Sequence, residues 1–190
     1  MDYNPVGSFI SDNLISSDRP PVLSVAEAQA IEMSDIEHAL STVVDPEIPV
    51  LSARELGVLR DVEWQGDTLV TTITPTYSGC PAMGHFEDDI RVCLEKLGIP
   101  KIKVNTRLSP AWTSDWLSDD AKQKLRDYGI APPMETTSSL KVLLGHAPEV
   151  SCPKCHSTEV REVSRHGSTA CKALYQCDSC QEPFDYFKCI

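Results

Sequence analysis

The sequence predicts an α+β chain: a small two-layer α/β domain, a helical extension and a short cysteine-rich ribbon towards the C-terminal end. Three observations carry this. Between residues 24 and 108 the hydrophobic period switches between helical and strand-like in the order α-β-β-α-β, a pattern that packs helices on one mixed sheet. Residues 109–150 then break that order with a tryptophan-bearing stretch and a helical pattern stopped by Gly129. Six of the eight cysteines fall in the last 39 of the 190 residues, so the chain has room for one full domain and an appendage of different chemistry.

In chain order, residues 1–23 carry Pro5, Gly7, Pro20 and Pro21 and read as an irregular segment. Ser24 can cap a helix through Ala26–Ile31 that can run on to Val44, because Ile36, Leu40 and Val43/Val44 keep a helical spacing. Asp45-Pro46 ends it, since proline pushes the preceding residue out of the helical region. Val58–Trp64 and Thr68–Thr74 flank Gln65-Gly66-Asp67 as a β-hairpin. Pro81 suits the first turn of a second helix that runs to about Leu97, with Gly98 as its cap and Met83, Phe86, Ile90, Cys93, Leu94 and Leu97 as its apolar stripe. Lys101–Leu108 is the last strand of the domain assigned to 24–108.

Trp112, Trp116, Leu117 and a helical pattern over Ser118–Tyr128, stopped by Gly129 and Pro132-Pro133, form the extension. A Thr/Ser-rich linker with one candidate strand, Leu140–Leu144, completes the segment 109–150. The ribbon, 151–190, holds strand-like Glu159–Ser164, Ala173–Gln176 and Phe184–Phe187.

Charge excludes one class of function. The net charge is −11, and the acidity sits in residues 1–110, with 8 basic and 17 acidic side chains, while 151–190 holds 5 of each. Neutralising phosphates needs clustered positive charge, so no nucleic-acid partner is expected. No apolar run approaches the roughly 18 residues of a membrane-spanning helix, and Met1-Asp2-Tyr3-Asn4-Pro5 lacks the basic and apolar regions of a secretory signal. A cytoplasmic location follows as the expectation. In a reducing cytosol, spaced cysteines point to metal or thiol chemistry rather than disulfides.

Cys152-Pro153-Lys154-Cys155 and Cys177-Asp178-Ser179-Cys180 are two C-x2-C pairs with 21 residues between them. Two such turns can place four thiolates tetrahedrally around one zinc ion, the layout of a zinc ribbon. The bland reading is structural zinc, which would supply folding energy that so short a segment lacks. A four-cysteine site can also hold iron or an iron–sulfur cluster, and a C-x-x-C pair can be a redox dithiol. Cys171, in the small-residue loop Gly167–Lys172, is either a small buried residue or an extra thiol for ligation or reaction. Cys189 is not expected to be a ligand.

In the first domain Cys93 belongs to the core stripe. Cys80 stands at the expected N-cap of the second helix, where the positive dipole end lowers a thiol pKa. Thr74, Thr76, Tyr77 and Ser78 can donate hydrogen bonds to its thiolate, and Gly79 permits close approach. Chemistry and simple capping both fit it. Asp45-Pro46-Glu47 is an acidic loop that is either solvated or part of a site, and His85 reads as a surface residue. His156 and His166 are not needed as ligands beside four cysteines. Gly-x-Ser-x-Gly, His-Glu-x-x-His and glycine-rich phosphate loops are absent from the sequence, so it does not read as a stand-alone enzyme.

Asp45-Pro46-Glu47-Ile48-Pro49-Val50-Leu51, Glu55-Leu56-Gly57 and Thr74-Pro75-Thr76-Tyr77-Ser78-Gly79-Cys80-Pro81 resemble the iron–sulfur-assembly domain of cytosolic cluster-targeting factors and bacterial Suf-type accessory proteins. Ser109-Pro110-Ala111-Trp112-Thr113-Ser114-Asp115-Trp116, Tyr128-Gly129-Ile130-Ala131-Pro132-Pro133 and the ribbon narrow the resemblance to the phenylacetate-degradation branch of that family. It covers about residues 30–190. The resemblance implies an accessory factor that assembles or delivers iron–sulfur clusters, or iron, to a multicomponent phenylacetyl-CoA ring-epoxidising monooxygenase. Its client would be the 2Fe-2S reductase component, with other oxygenase subunits as further partners. Carried onto this chain, Cys80, Asp45, Glu47 and Thr76 form the transfer site, and Cys152, Cys155, Cys177 and Cys180 hold zinc. A homodimer sharing one transient cluster fits one exposed cysteine per protomer. The competing reading is a structural or docking subunit that uses the ribbon as a protein-binding module.

Overall fold

Ser24 opens the first helix of the described part of the chain, which in the computed structural model comprises residues 20–133 and 150–188. Its side chain accepts from the Glu27 N–H while the Glu27 carboxylate accepts from Ser24, a reciprocal cap that starts α1 (Val25–Gln29). The single helix expected through to Val44 is instead two. Glu32 is extended and caps α2 (Met33–Leu40). That helix ends well before Asp45-Pro46, because Ser41 and Thr42 turn their hydroxyls back onto the His38 and Ala39 carbonyls at 2.6 and 2.7 Å. Short hydroxyl side chains compete in this way with helix propagation. Val43 and Val44 therefore belong to the following loop, where Val44 bridges Ser52.

The hairpin and its third strand form as the alternation predicts. β1 (Leu59–Gln65) pairs antiparallel with β2 (Thr68–Ile73), and β2 pairs in parallel with β3 (Ile102–Thr106), in the order β1-β2-β3. The parallel pair needs a crossover, supplied by α3 (Met83–Lys96). Phe86, Ile90 and Leu94 are its buried face and share one core with Ile36, Leu40, Leu59, Leu69 and Ile73. Cys93 packs partly buried against that core. α3 starts later than Pro81 suggests: Ala82 is the cap and offers no side-chain hydrogen bond.

The extension is bound tightly to the domain. A 3-10 turn at Ser114–Trp116 leads to α4 (Asp119–Tyr128), where the Ser118 hydroxyl accepts from the Ala121 N–H at 3.1 Å. The Trp112 indole N–H donates to the Leu56 carbonyl at 2.9 Å, and the Arg60 guanidinium lies 3.5 Å over the Trp116 ring. Gly57 permits this approach. Its φ is +73°, and a Cβ there would stand 3.0 Å from the Trp116 Cβ. The Glu55-Leu56-Gly57 motif is thus the seat of the tryptophan segment, and Glu55 also accepts from Lys124 of α4 at 2.5 Å.

The extension runs on into the ribbon sheet. After Gly129, β4 (Ile130–Ala131) pairs in parallel with β7 (Pro183–Phe187), which pairs with β6 (Lys172–Cys177), which pairs with β5 (Val160–Ser164), in the order β4-β7-β6-β5. A strand of two residues is too short to show a period, which is why the sequence does not reveal it. Phe184 and Tyr186 point into a second core with Ala131, Val150 and Tyr175. Phe187 and Cys171 instead join the core of the first domain, with Phe187 5.9 Å from Trp112. The candidate strand Leu140–Leu144 and Cys189 lie outside the described residues.

Candidate functional site

In the ribbon, two loops face one another. The sulfur atoms of Cys152, Cys155, Cys177 and Cys180 all lie within 4.8 Å of one another. Cys152 is 3.7 Å from Cys180, and Cys155 is 3.5 Å from Cys177. Tetrahedral zinc–thiolate bonds of about 2.3 Å imply sulfur–sulfur edges of about 3.8 Å, so the donor set fits one tetrahedral ion. The loops repeat each other bond for bond. The Cys152 and Cys177 carbonyls accept from the N–H groups of His156 and Gln181, each at 2.9 Å. The Cys152 and Cys177 N–H groups donate to the carbonyls of Ser157 and Glu182, again at 2.9 Å. His156 and Gln181 both adopt left-handed backbone, φ 60° and 63°. Neither is the glycine that usually marks such a turn, so motif spacing alone does not single them out. The Cys180 N–H points at the Cys177 sulfur from 3.5 Å, and this hydrogen bond lowers the Cys177 thiol to about 7. His156 and His166 are exposed at the periphery.

The second site surrounds Cys80. The loop from Asp45 to Ser52 is closed by the Asp45 carboxylate, whose Oδ1 accepts from the N–H groups of Glu47 and Ile48 at 2.7 and 2.8 Å. The Asp45 N–H in turn donates to the Leu51 carbonyl at 2.9 Å. Asp45 is buried and serves the loop's backbone, whereas Glu47 is exposed. Across from them β2 leads through Thr74 to Thr76, which is buried, and on to Cys80, which is half-buried. The Thr76 hydroxyl and the Ala82 N–H both donate toward the Cys80 sulfur. Asp45, Glu47, Thr76 and Cys80 line one small cavity, and Cys171 and Phe187 of the ribbon complete its wall. Sequence reasoning names the first four as a group. It leaves Cys171 unplaced and misses Phe187, because contacts between segments far apart in sequence, the β4–β7 pairing and the packing of Phe187 against Trp112, bring the ribbon here. His85, on α3, is exposed.

One expectation is overturned. Burial pushes the Cys80 thiol above its ordinary value, outweighing the Ala82 and Thr76 hydrogen bonds, and the Asp45 and Glu47 carboxylates push the same way. A helix-end depression is not seen because α3 begins at Met83, with Ala82 rather than Cys80 as its cap. Burial also raises Cys171, against hydrogen bonding from Thr169 and the charge of Lys172. At neutral pH both are thiols that a metal ion must deprotonate to bind.

Residues 33–105 match the model of an iron–sulfur cluster assembly protein, and residues 136–188 match that of the PaaD zinc beta ribbon domain. A protein of Escherichia coli (strain K12) named for a subunit of 1,2-phenylacetyl-CoA epoxidase is 48% identical over 159 residues, covering 84% of this chain and 94% of its own. The chain belongs to the PaaD family. A second relative, an Fe–S protein maturation auxiliary factor of Porphyromonas gingivalis, is 37% identical and covers 48% of this chain and 88% of its own. A solved domain of unknown function from Bacillus anthracis is 29% identical, covers 48% of this chain and 89% of its own, and has a TM-score of 0.45. This chain joins an iron–sulfur-assembly-like α+β domain and a four-cysteine ribbon able to bind a metal ion. The names of its relatives, a subunit and an auxiliary factor, accord with a chain that is not an enzyme by itself. Among the described residues, no helix is long and apolar enough to cross a membrane.

Proposed function

We propose that this PaaD-family chain is a maturation factor that assembles or hands over iron–sulfur clusters, or iron, to a phenylacetyl-CoA ring-epoxidising oxygenase. The client in this reading is the oxygenase's 2Fe-2S reductase component, the setting is the cytoplasm, and the ribbon holds structural zinc. The observation that carries it is the Cys80 site: a half-buried thiol with a hydroxyl donor and an exposed carboxylate at its rim, on the domain that matches the cluster-assembly family. A carrier must bind iron and release it. A thiol kept protonated by burial does both, because the proton competes with the metal. The acidity of residues 1–110 supports a client surface of basic character.

The test is to produce the reductase alongside Cys80→Ser and measure its cluster content, with ribbon zinc as the folding control. Loss of reductase cluster with zinc retained is the expected result; unchanged cluster loading overturns the proposal.

A further inference from the structure

The four ribbon sulfurs are not equivalent toward water. Cys152 and Cys177 are 0% exposed and pack in the second core with Val150, Tyr175 and Phe184. Cys155 and Cys180 close the same two loops from the outside and face solvent. Each loop thus sets its first cysteine among apolar side chains and its second at the surface. The outer pair comes from different loops, and those loops are joined by contacts that need no ion. The Ser157 and Ser179 hydroxyls are 2.8 Å apart. The Lys154 ammonium donates to Glu182 at 2.6 Å, and the Asp178 N–H donates to the Glu159 carbonyl at 2.8 Å. All four sulfurs lie within 4.8 Å of one another, so the outer two are near neighbours between loops already held together. Oxidation of cysteine follows thiolate character and access. Metal ligation supplies the thiolate at all four positions, and access separates the outer pair from the inner.

We infer that Cys155 and Cys180 are an oxidation site: hydrogen peroxide joins them in a disulfide and releases the ribbon's metal ion, while Cys152 and Cys177 stay reduced. The inference rests on zinc in the ribbon and is independent of what Cys80 carries. One outer thiolate takes an oxygen atom from hydrogen peroxide, whose O–O bond breaks to leave hydroxide, and becomes a sulfenic acid. The other outer thiolate then attacks that sulfur, forming the S–S bond and expelling a second hydroxide. Two protons from solvent turn the two hydroxides into water. The two sulfurs lose two electrons, peroxide gains them, and zinc stays divalent. Zinc loses two of its four ligands and leaves as Cys152 and Cys177 each take up a proton. The oxidised ribbon keeps a tie between its loops, because the disulfide takes the place of the ion. Cys152 and Cys177 remain in the core as small apolar thiols. Oxidation therefore differs from chelation, which removes the tie altogether.

The experiment treats the full zinc-loaded chain with graded hydrogen peroxide under anaerobic conditions. A chromogenic chelator reads released zinc. Alkylation traps the remaining thiols, mass spectrometry maps the disulfides, and hydrogen exchange reports the order of β5, β6 and β7. Cys155→His offers zinc an imidazole in place of the thiolate, so it keeps a fourth ligand and removes the pair; metal analysis before treatment checks its loading. The expected result is one zinc released per wild-type chain in step with a Cys155–Cys180 disulfide. Cys152 and Cys177 should be recovered as alkylated thiols, protection in the ribbon strands should exceed that of the chelated chain, and a dithiol with zinc should restore the starting form. Release from Cys155→His should be at least about tenfold slower at the same peroxide concentration. Zinc retained in excess peroxide, a first disulfide containing any other cysteine, or release from Cys155→His at the wild-type rate overturns the inference and leaves zinc in the ribbon. If Cys155→His takes up no zinc, the wild-type disulfide map decides alone. A wild-type chain that takes up no zinc overturns both the inference and the zinc reading.

Discussion

The Trp112 indole lies 5.9 Å from the Phe187 ring at 56°, and its N–H donates to the Leu56 carbonyl at 2.9 Å. One side chain of the extension thus spans the first domain and the last strand of the ribbon. Trp112→Phe keeps much of the ring contact but orphans a buried acceptor, so it should lower stability by about 1–3 kcal/mol. Trp112→Ala also opens a cavity and should cost about 3–5 kcal/mol. Denaturant titration of the zinc-loaded chain gives both values, and a neutral Trp112→Ala would show that the segment is not a shared support.

Gly57 tests the same seat from the other side. An alanine there meets the Trp116 Cβ at 3.0 Å with a φ of +73°. The left-handed backbone alone costs a residue with a Cβ roughly 1–2 kcal/mol, and displacing Trp116 from Arg60 adds to it. Gly57→Ala should therefore lower the melting temperature, while Gly66→Ala, with a similar φ of +62° but open space around it, should lower it less. Equal shifts would remove the steric part of the argument.

Metal removal should be felt unevenly. Chelation leaves β5, β6 and β7 without the centre that joins their loops, and hydrogen exchange there should lose protection. β1, β2, β3 and α3 have their own core and should keep theirs. The Trp112 region, which touches Phe187, should report the change through its near-ultraviolet dichroism. Uniform loss across both sheets would contradict this division.

The thiols predict a pH response of definite sign. Cys80 titrates above its ordinary 9.0 because of burial, so iodoacetamide should modify it slowly at neutral pH and faster as the solution becomes alkaline. Glu47→Gln removes a negative neighbour, lowers that pKa and should speed modification at a fixed mildly alkaline pH. A rate indifferent to Glu47 would place that carboxylate outside the site. Linkage has the matching sign. For Cys80, Cys93 and Cys171 the folded value is raised, so their contribution to stability is present below the unfolded thiol value and is lost as pH rises through the folded one.

Much of this is legible in the residues. The hairpin, the stripe of α3, the helical pattern that Gly129 stops and the four ribbon cysteines each carry a local signal, a period or a spacing. The misreadings share a cause. The break between α1 and α2, with α2 ending in hydroxyls bonded back to its own carbonyls at Ser41 and Thr42, is invisible to hydrophobic period, because Ile36, Leu40 and Val43 stay in phase. The Cys80 pKa takes the opposite sign to the one its sequence position suggests, because position points to a helix end while burial comes from elsewhere. Cys171 and Phe187 reach the Cys80 cavity through the pairing of β4 with β7 and the packing of Phe187 against Trp112, contacts between segments more than fifty residues apart in sequence.

The placement of Phe187 makes the two metal-related sites conditional on each other. One wall of the Cys80 cavity belongs to a sheet whose loops carry Cys152, Cys155, Cys177 and Cys180, the four-sulfur group able to hold one metal ion. On the proposed function, with zinc in the ribbon and cargo at Cys80, reciprocity requires that each binding event strengthen the other by the same free energy wherever the shared wall couples them. On that same reading, a chain lacking the ribbon metal would lose the ordered wall formed by Phe187 and Cys171, and supply of one metal would govern the handling of another.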